Sequence, residues 1–370
     1  MPKVLISGYF GMGNVGDEAL LSSLIGILRE MEALKIEISV LSGAPLVTTE
    51  LYGVLGIDRR SVYRVLKAIE WADIVITGPG GLIQDVTSSR SLLYYLGIAA
   101  MAKFLGKKSL ILGCGIGPVN RGMGRVLTKE IIKKLDGIAL RDMPSLEELR
   151  SYGLKRHDVK LFPDFGLLVD APSSMRGKEL LKREGIPYSS YPLIGMAVRP
   201  VGIKGIDYRL KRLLAITADA LMNKYSAYIV FLPFDAKMDR DFSTSIRAMM
   251  KNQSFLIQGQ YRPSDIKGII NELDLMIGMR LHSLILSCIS NIPLVGIAYD
   301  PKVENFLVQI GAYDFINLEE LSAEGLLGFA ESAMILASMG QVNYSEEKVR
   351  IMKDKVRNES KDFLRGFLCL

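Results

Sequence analysis

Two consecutive stretches near the start of the chain predict its fold: Val4-Leu5-Ile6-Ser7, and then Gly8-Tyr9-Phe10-Gly11-Met12-Gly13-Asn14-Val15-Gly16-Asp17-Glu18. The first is apolar on both faces, which is typical of a strand buried in a parallel sheet. The second is a glycine-rich turn, and the residues from Asp17 to Glu30 have the apolar spacing of an amphipathic helix. A buried strand, a glycine turn and a helix indicate an α/β domain with helices on both faces of its sheet.

The same alternation continues along the chain and is interrupted once. Further short apolar runs predict strands at Ile36–Leu41, Ile74–Thr77, Ser109–Leu112, Gly137–Leu140, Leu193–Val198, Ala227–Leu232, Phe255–Ile257, Leu275–Ile277 and Leu294–Ile297. Residues 171–192 are instead rich in proline, serine and glycine, as domain boundaries are. The length of 370 residues also exceeds one ordinary core. We therefore predict α/β domains at 1–175 and 190–344, and a charged helix at 345–370 that can cross back onto the first domain.

Composition narrows the class of protein. The net charge of +6 is spread along the chain without a long basic block, which argues against a dedicated nucleic-acid binder and suits anionic small substrates or a nearby anionic membrane. Cys114, Cys288 and Cys369 are too far apart for a zinc motif or a disulfide framework, so we expect a reducing compartment. The start of the chain has no signal-peptide pattern, and the apolar run Leu92–Ala102 is shorter than the ~20 residues of a membrane span. We expect a soluble cytoplasmic protein.

The first glycine turn has two interpretations. A G-x-G-x-x-G pattern at residues 11–16 between a strand and a helix is typical of dinucleotide folds. However, the second strand ends in Leu41-Ser42-Gly43 without the acid that binds a ribose, and Asp17 and Glu18 place negative charge where a pyrophosphate would bind. NAD binding is therefore disfavoured. A substrate contact and a tight turn capped by Asn14 or Asp17 both remain open.

Two later glycine-rich stretches also follow predicted strands. They are Thr77-Gly78-Pro79-Gly80-Gly81-Leu82-Ile83-Gln84-Asp85 and Gly113-Cys114-Gly115-Ile116-Gly117-Pro118-Val119. Ligands of open parallel sheets bind at the carboxyl ends of the strands, where glycine lets backbone N–H groups approach them closely. Gln84 and Asp85 could bind sugar hydroxyls there. The alternative interpretation of each stretch is a simple flexible turn.

The sharpest chemical signal lies in the second half, in Ile277-Gly278-Met279-Arg280-Leu281-His282-Ser283. His282 follows a predicted strand and opens an apolar helix, so its ring is expected at the ligand-binding edge. Arg280 adds a permanent cation whose fork matches a carboxylate or a phosphate. The other histidine, His157, lies in a polar stretch that predicts a solvated turn. The competing interpretation is a histidine satisfied in the core and an arginine on the surface.

Other charged residues end predicted strands. Arg199 follows a strand of the second domain and is expected at the same edge as His282. Arg141 also follows a strand, but its neighbour Asp142 favours a structural ion pair. Asp164 could orient a partner or cap a turn.

Five of these pieces together resemble the polysaccharide pyruvyl transferases, particularly the bacterial cell-surface-anchoring type. They are Gly11-Met12-Gly13-Asn14-Val15-Gly16-Asp17-Glu18-Ala19-Leu20, Gly80-Gly81-Leu82-Ile83-Gln84-Asp85, Gly113-Cys114-Gly115-Ile116-Gly117-Pro118, Leu140-Arg141-Asp142 and Gly278-Met279-Arg280-Leu281-His282. The resemblance covers nearly the whole chain. It implies two Rossmann-like domains with parallel sheets in a GT-B-like arrangement. It also implies phosphoenolpyruvate as donor, bound at Arg280, Leu281 and His282, and an N-acetylmannosamine on a lipid-linked cell-wall precursor as acceptor.

The chemistry that the resemblance implies is a hypothesis about named residues. Arg280 and Arg199 hold phosphoenolpyruvate, His282 protonates its methylene carbon, and an acid such as Asp17 or Asp85 accepts the proton of the sugar hydroxyl. The predicted acceptor contacts are Gly11, Gly13, Asn14, Asp17, Gly81, Gln84 and Asp85. We expect no metal and no cofactor beyond the co-substrate, no nucleic-acid partner, and optional peripheral attachment to the inner membrane face.

Two other functions remain open from the sequence. A GT-B glycosyltransferase that uses a nucleotide sugar would share the domain layout and the ligand-binding edge. A non-catalytic module that binds glycans or nucleotides would share the fold without turnover.

Overall fold

The structure is a computed structural model that describes residues 1–86, 88–173, 175–187 and 191–368. Cys369 and parts of the predicted linker (Ser174, Ser189 and Ser190) lie outside the described residues. The chain forms two compact units, one of Met1–Leu168 with Met352–Leu370 and the other of Val169–Ile351.

The first unit is built on a parallel sheet of eight strands. They are β1 (Lys3–Phe10), β2 (Glu37–Ser42), β3 (Leu55–Asp58), β4 (Ile74–Thr77), β5 (Gly80–Ile83), β6 (Lys108–Ile116), β7 (Gly137–Leu140) and β8 (Lys160–Leu161). The strand order is β3-β2-β1-β4-β6-β7-β8, and β5 pairs with β6. The helices are α1 (Val15–Arg29), α2 (Pro45–Tyr52), α3 (Val62–Trp71), α4 (Ser89–Phe104), α5 (Gly122–Ile132) and α6 (Met143–Ser151), with short 3-10 turns at Glu32–Leu34 and Phe165–Leu168.

The second unit repeats this design on a parallel sheet of six strands. They are β9 (Leu193–Ala197), β10 (Tyr228–Phe231), β11 (Phe255–Leu256), β12 (Leu275–Gly278), β13 (Leu294–Ala298) and β14 (Phe315–Asn317), in the order β11-β10-β9-β12-β13-β14. Its helices are α7 (Arg176–Arg183), α8 (Lys204–Tyr225), α9 (Met238–Arg247), α10 (Pro263–Ile270), α11 (Leu281–Cys288), α12 (Pro301–Ile310) and α13 (Ala323–Ser338). Helix α14 (Glu346–Leu368) runs from this unit into the first.

The central strands are buried on both faces, as their continuous apolar runs predict. Val4, Leu5 and Ile6 of β1 are fully buried, and so are Met276 and Ile277 of β12. Each such side chain stabilises its unit by about 1.5–3 kcal/mol relative to an exposed one. None of the helices in the described part of the chain combines the length and the apolar character needed to cross a membrane.

Two of the predicted glycine loops are partly strand, which corrects the sequence interpretation. Residues 80–83 form β5, and β6 continues to Ile116 through the third glycine-rich stretch. Gly113 has φ +64° and lies where the pairing of β6 with β7 shifts register between Leu112 and Cys114. The glycine therefore forms a β-bulge inside a strand rather than a turn after it.

The boundary between the units lies earlier than the predicted linker. Residues 169–175 group with the second unit, where α7 packs on α10. Arg176 Nε donates to Asp265 Oδ1 at 2.7 Å, and Gly177 lies against the Gly268 backbone without room for a Cβ. These contacts hold the segment that follows Leu168 against the second core.

Candidate active site

The carboxyl ends of the second sheet bring together the residues singled out in the second half of the sequence. Strand order reverses between β9 and β12, and ligands of open α/β sheets bind at such a switch point. Arg199 follows β9, Arg280 follows β12 and Tyr299 follows β13, so three neighbouring strands direct these residues to one edge.

Arg280, predicted to bind an anionic ligand, is held on one side of its fork by a buried ion pair. Its Nε donates to Asp239 Oδ2 at 2.8 Å and its Nη2 to Asp239 Oδ1 at 2.5 Å. The side chain of Arg280 is 15% exposed and that of Asp239 is 0% exposed. Burial by itself lowers the pKa of Arg280, but the hydrogen bond and charge of Asp239 outweigh burial and raise it. The Arg280 cation is permanent, and Asp239 fixes its orientation.

Asp239 lies at this edge of the sheet but is not among the residues predicted from the sequence. Its Oδ2 also accepts the backbone N–H groups of Phe234 and Asp235, at 3.1 and 2.9 Å, so it connects the turn after β10 to Arg280. A signal for it does exist in the sequence. Asp239 lies in register with the buried Phe242 and Ile246 of α9, which places a carboxylate on the apolar face of a helix. A buried carboxylate requires a charged or hydrogen-bonded partner.

Arg199 is held against an aromatic ring at the same edge. Its Nη1 donates to Tyr299 Oη at 3.0 Å, and its guanidinium carbon lies 4.8 Å from the centre of that ring. Its Nε donates to the carbonyl oxygen of Pro200 at 3.0 Å. Arg199 is half-buried, so one side of a preoriented cation faces solvent.

His282 is the second residue of α11, and Arg280 is the N-cap of that helix. Both His282 and Leu281 are half-buried, whereas the rest of the helix up to Cys288 is buried. The first-turn N–H groups of a helix attract anions, so His282 lies beside a position suited to an anionic ligand. His157 is exposed in a bend between α6 and β8, which confirms the predicted solvated turn.

In the first unit, the glycine turn after β1 is shaped by its own helix. Asn14 caps α1, with its Oδ1 accepting from the N–H groups of Gly16 and Asp17 at 2.9 and 3.1 Å. This geometry confirms the capping interpretation of Asn14. Glu18 accepts from the Gly11 N–H at 2.6 Å and from Tyr52 Oη at 2.7 Å. Burial raises the pKa of Glu18, although both hydrogen bonds oppose that rise.

Asp85, predicted as a sugar ligand or general base, accepts hydrogen bonds from the backbone. Its Oδ1 accepts from the Asn120 N–H at 2.8 Å and its Oδ2 from the Arg121 N–H at 3.0 Å. The hydrogen bond from Asn120 leads the interactions that lower the pKa of Asp85. Both carboxylate oxygens therefore hold the segment before α5, and a lowered pKa is poorly suited to proton abstraction at neutral pH.

The Asp17 side chain lies beside Gly80, the first residue of β5, at the ligand-binding edge of the first sheet. A Cβ built on Gly80 would lie 3.4 Å from Asp17 Oδ1, so the carboxylate and the Gly80 backbone are neighbours. Gly81 and Gly13 are exposed, and Gln84 is half-buried. Asp17 is therefore the predicted acid of the first unit whose surroundings suit the binding of a sugar.

Arg59, after the unpredicted strand β3, lies at the same edge. Its Nη1 donates to the Gly8 carbonyl at 3.0 Å and its Nη2 to Tyr95 Oη at 3.1 Å. Its guanidinium carbon lies 4.7 Å from the ring centre of Tyr94 and 5.8 Å from that of Tyr9. Burial raises the pKa of Tyr95 to about 12, so this hydroxyl stays protonated. Arg59 is not among the residues predicted from the sequence, because the predicted strands did not include β3.

Arg141 forms the structural ion pair that the sequence favoured. Its Nε lies 3.2 Å from Asp142 Oδ2 and its Nη1 lies 3.5 Å from Asp164 Oδ2, with the arginine side chain 9% exposed. Asp164 fills both of its predicted roles, because it orients Arg141 and its Oδ1 accepts the Gly166 N–H at 2.8 Å in the following turn. Burial raises the pKa of the neighbouring Cys114 to about 12, so this thiol is not a nucleophile. Among the described residues, histidines, cysteines and acids do not gather into a group that could hold a metal ion.

Comparison with solved structures supports the fold. Anabaena HepE in complex with UDP-glucose has a TM-score of 0.68 at 12% identity, over 100% of both chains. A putative UDP-N-acetylglucosamine 2-epimerase from Listeria monocytogenes has a TM-score of 0.65 at 12% identity, over 99% of this chain and 96% of that one. The UDP-GlcNAc 2-epimerase of Neisseria meningitidis, bound to UDP-GlcNAc, has a TM-score of 0.64 at 11% identity, over 99% and 100%. These similarities confirm two Rossmann-like domains with parallel sheets, the GT-B class of fold.

Sequence comparison identifies the family. No curated protein matches the chain significantly. The model of the family described as polysaccharide pyruvyl transferase matches residues 14–301, which is most of the chain. This match agrees with the motifs quoted above, so the chain belongs to the polysaccharide pyruvyl transferase family.

Proposed function

We propose that the chain transfers the enolpyruvyl unit of phosphoenolpyruvate to a sugar of a cell-wall or cell-surface polysaccharide precursor and forms a pyruvate ketal. Family membership supports transfer to a polysaccharide. The observation that carries the choice of donor is the grouping of Arg199, Arg280 and His282 at the ends of the adjacent strands β9 and β12. Two guanidinium groups and a helix N-terminus match the two anionic groups of phosphoenolpyruvate.

Donor binding follows from how these cations are held. Arg199 is braced by Tyr299, and Arg280 is braced by Asp239 through Nε and Nη2, which leaves the Nη1 side of the fork for a ligand. Because both guanidinium groups are already oriented, little side-chain entropy is lost when the ligand binds. We assign one anionic group of the donor to Arg199 and the other to Arg280 with the first turn of α11.

The proposed reaction begins with proton transfer. The imidazolium of His282 protonates the methylene carbon of phosphoenolpyruvate, and positive charge develops at the adjacent carbon. A sugar hydroxyl attacks that carbon and passes its proton to a carboxylate, for which Asp17 is the candidate. Phosphate then leaves with the proton of the first hydroxyl, and a second sugar hydroxyl closes the cyclic ketal and returns its proton to His282. The sum is one phosphoenolpyruvate and one sugar diol giving one ketal and one phosphate.

The acceptor is assigned to the ligand-binding edge of the first unit. Exposed backbone at Gly13 and Gly81, together with Gln84 and Asp17, offers hydrogen bonds to sugar hydroxyls. Arg59 extends this edge with the ring of Tyr9, which is an apolar face suited to a sugar ring. We propose that the reaction takes place in the cytoplasm, on a precursor at the inner face of the membrane.

The decisive experiment compares the two histidines of the chain. Phosphate release from phosphoenolpyruvate is measured with UDP-N-acetylmannosamine, UDP-N-acetylglucosamine and a lipid-linked disaccharide as acceptor probes. For the wild type we expect release that depends on one of these acceptors. His282→Ala should slow it by about 10²–10⁴-fold, whereas His157→Ala, at an exposed position, should leave it unchanged. Near-normal release by folded His282→Ala protein would remove His282 from the mechanism.

A glycosyltransferase that uses a nucleotide sugar is the second candidate. The observation in its favour is that similar structures were solved with UDP-glucose and UDP-GlcNAc. Stabilisation on ligand binding separates the two functions. A rise in Tm with phosphoenolpyruvate but not with UDP supports the pyruvyl transferase, and the reverse supports sugar transfer. Binding of either ligand without turnover of any probe supports a non-catalytic module.

A further inference from the structure

Tyr299 crosses the ligand-binding edge of the second sheet. It follows β13, whereas its partner Arg199 follows β9, and β12 lies between these two strands. Neighbouring strands are about 4.8 Å apart, so the Tyr299 side chain must extend across the end of β12 to accept from Arg199 Nη1 at 3.0 Å. Its ring packs on the core of the second unit, which fixes the position of the hydroxyl. The Tyr299 hydroxyl therefore lies at the end of β12, where Arg280 and the first turn of α11 follow.

Two permanent cations lie close to this hydroxyl. Arg199 donates to it directly. Arg280 is near enough for Tyr299 to act on its charge: burial lowers the pKa of Arg280, Asp239 raises it, and Tyr299 is the next group that raises it. The Tyr299 hydroxyl is therefore next to the position that we assign to the anionic groups of the donor.

The hydroxyl proton of Tyr299 is the group left to bind a ligand. A tyrosine hydroxyl can donate one hydrogen bond while it accepts another. Tyr299 Oη accepts from Arg199, and no group in the described part of the chain accepts the Tyr299 proton. The acids of the same edge already accept hydrogen bonds from other groups; they are Asp235, Asp239 and Asp300. An anion bound to the two guanidinium groups would supply the acceptor.

We propose that Tyr299 is a donor-binding residue, whose hydroxyl donates a hydrogen bond to the anionic group of phosphoenolpyruvate that Arg199 binds. A hydrogen bond to an ionised acceptor is stronger than one between neutral groups. The identity of the donor rests on the proposed function. Tyr299 then has two roles, because it holds Arg199 in place and adds a hydrogen bond to the same anionic group. This hydrogen bond is present before and during the reaction, so it strengthens donor binding rather than the chemical step.

The test uses a variant of the full chain that keeps the aromatic ring. Tyr299→Phe retains the ring beside the Arg199 guanidinium and removes only the hydroxyl. The KM for phosphoenolpyruvate should rise about tenfold or more, while kcat changes by less than about twofold. The Kd measured by calorimetry without acceptor should rise by the same factor as KM. Tyr313→Phe removes the hydroxyl of a tyrosine that is 68% exposed in the same unit, and this matched control should behave like the wild type.

A double-mutant cycle separates a direct contact from a role that acts only through Arg199. The Kd for phosphoenolpyruvate is compared among the wild type, Tyr299→Phe, Arg199→Met and the double variant. If the hydroxyl binds the ligand, Tyr299→Phe weakens binding by about threefold or more in the Arg199→Met background as well. An effect that disappears in this background would mean that Tyr299 only positions Arg199, and the inference would be wrong.

The outcomes also distinguish the role of Tyr299 from the proposed function. Phosphate release by the wild type, with KM and Kd unchanged in Tyr299→Phe, would keep the pyruvyl transferase and remove Tyr299 from its donor site. Wild-type protein that binds no phosphoenolpyruvate would contradict the proposed donor, and inorganic phosphate and UDP are then the probes of the same edge. Weaker binding of either probe by Tyr299→Phe in both backgrounds would keep Tyr299 as an anion-binding residue. Equal binding by variant and wild type, or no binding of any probe, would refute that role.

Discussion

At the scale of single residues, the buried carboxylate of Asp239 fixes the orientation of Arg280. Asp239 is completely buried and binds two nitrogens of the guanidinium as well as two backbone N–H groups. A buried charge of this kind is tolerated because every oxygen is satisfied. The sequence predicted a ligand-binding role for Arg280, but its partner Asp239 lies 41 positions away, on α9. Only the tertiary structure, which places Asp239 of α9 beside the residue that follows β12, brings the two together.

Removing Asp239 should be far more costly than removing an exposed acid of the same helix. Asp239→Ala leaves the half-buried Arg280 without its counter-charge, and we expect a loss of about 3–5 kcal/mol in the free energy of unfolding. Asp241→Ala, at an exposed position of α9, should change it by less than about 0.5 kcal/mol. Urea unfolding followed by circular dichroism measures both. A loss below about 1 kcal/mol for Asp239→Ala would mean that the ion pair does not organise this edge.

At the scale of elements, the turn between β1 and α1 depends on Glu18 as much as on its glycines. Gly11 has φ +68°, and a Cβ there would collide with Ser42 and Ala44, so only glycine fits. Glu18 reaches back from α1 to the Gly11 N–H, while Tyr52 of α2 holds its other oxygen. The sequence showed an acid in the first helical turn. It could not show that this acid is half-buried and bonded to two other elements rather than facing a ligand.

The raised pKa of Glu18 predicts a specific pH dependence of stability. Between the ordinary value of 4.5 and the raised value, the folded protein retains a proton that the unfolded chain has released, so stability falls as pH rises through this window. Glu18→Gln keeps an acceptor for the Gly11 N–H and has no proton to lose. Its Tm relative to wild type should rise as the pH increases above the ordinary value of 4.5, and should level off once Glu18 is ionised in the folded protein as well.

The control for this prediction is Glu50→Gln, which removes an exposed carboxylate from α2. Its Tm difference from wild type should stay nearly constant over the same range. A Glu18→Gln variant that loses stability relative to wild type as pH rises would show that the carboxylate is stabilising in its charged form.

At the scale of the whole molecule, the end of the chain completes the core of the first unit. The ring of Phe363 lies 5.7 Å from that of Phe162, centre to centre, and Gly137 leaves room for Phe363 and Phe367 beside β7. Arg357 and Lys361 of α14 both pair with Glu30 after α1. The last part of α14 thus packs in the first unit. About 180 residues of the second unit separate it in sequence from Leu168.

A substitution at the far end of α14 should therefore destabilise the first unit. Leu364 is fully buried, and Leu364→Ala should lower the free energy of unfolding by about 2–5 kcal/mol. The single tryptophan, Trp71, lies in α3, so its fluorescence reports unfolding of the first unit. Arg365→Ala, at the next and exposed position, is the matched control. If Trp71 fluorescence in urea shows the same midpoint for both variants, α14 is not part of that core.

The sequence by itself determined the α/β class, the two-unit organisation and the buried strands, because apolar runs and glycine turns act locally. Strands β4 and β7 begin and end at the predicted residues. It also directed attention to the edge that carries Arg199, Arg280 and His282. Tertiary structure alone decided which charges remain for ligands. Asp239 binds Nε and Nη2 of Arg280, Asp85 binds backbone N–H groups, and Arg59 joins the first edge, because charge pairing depends on contacts between elements distant in sequence.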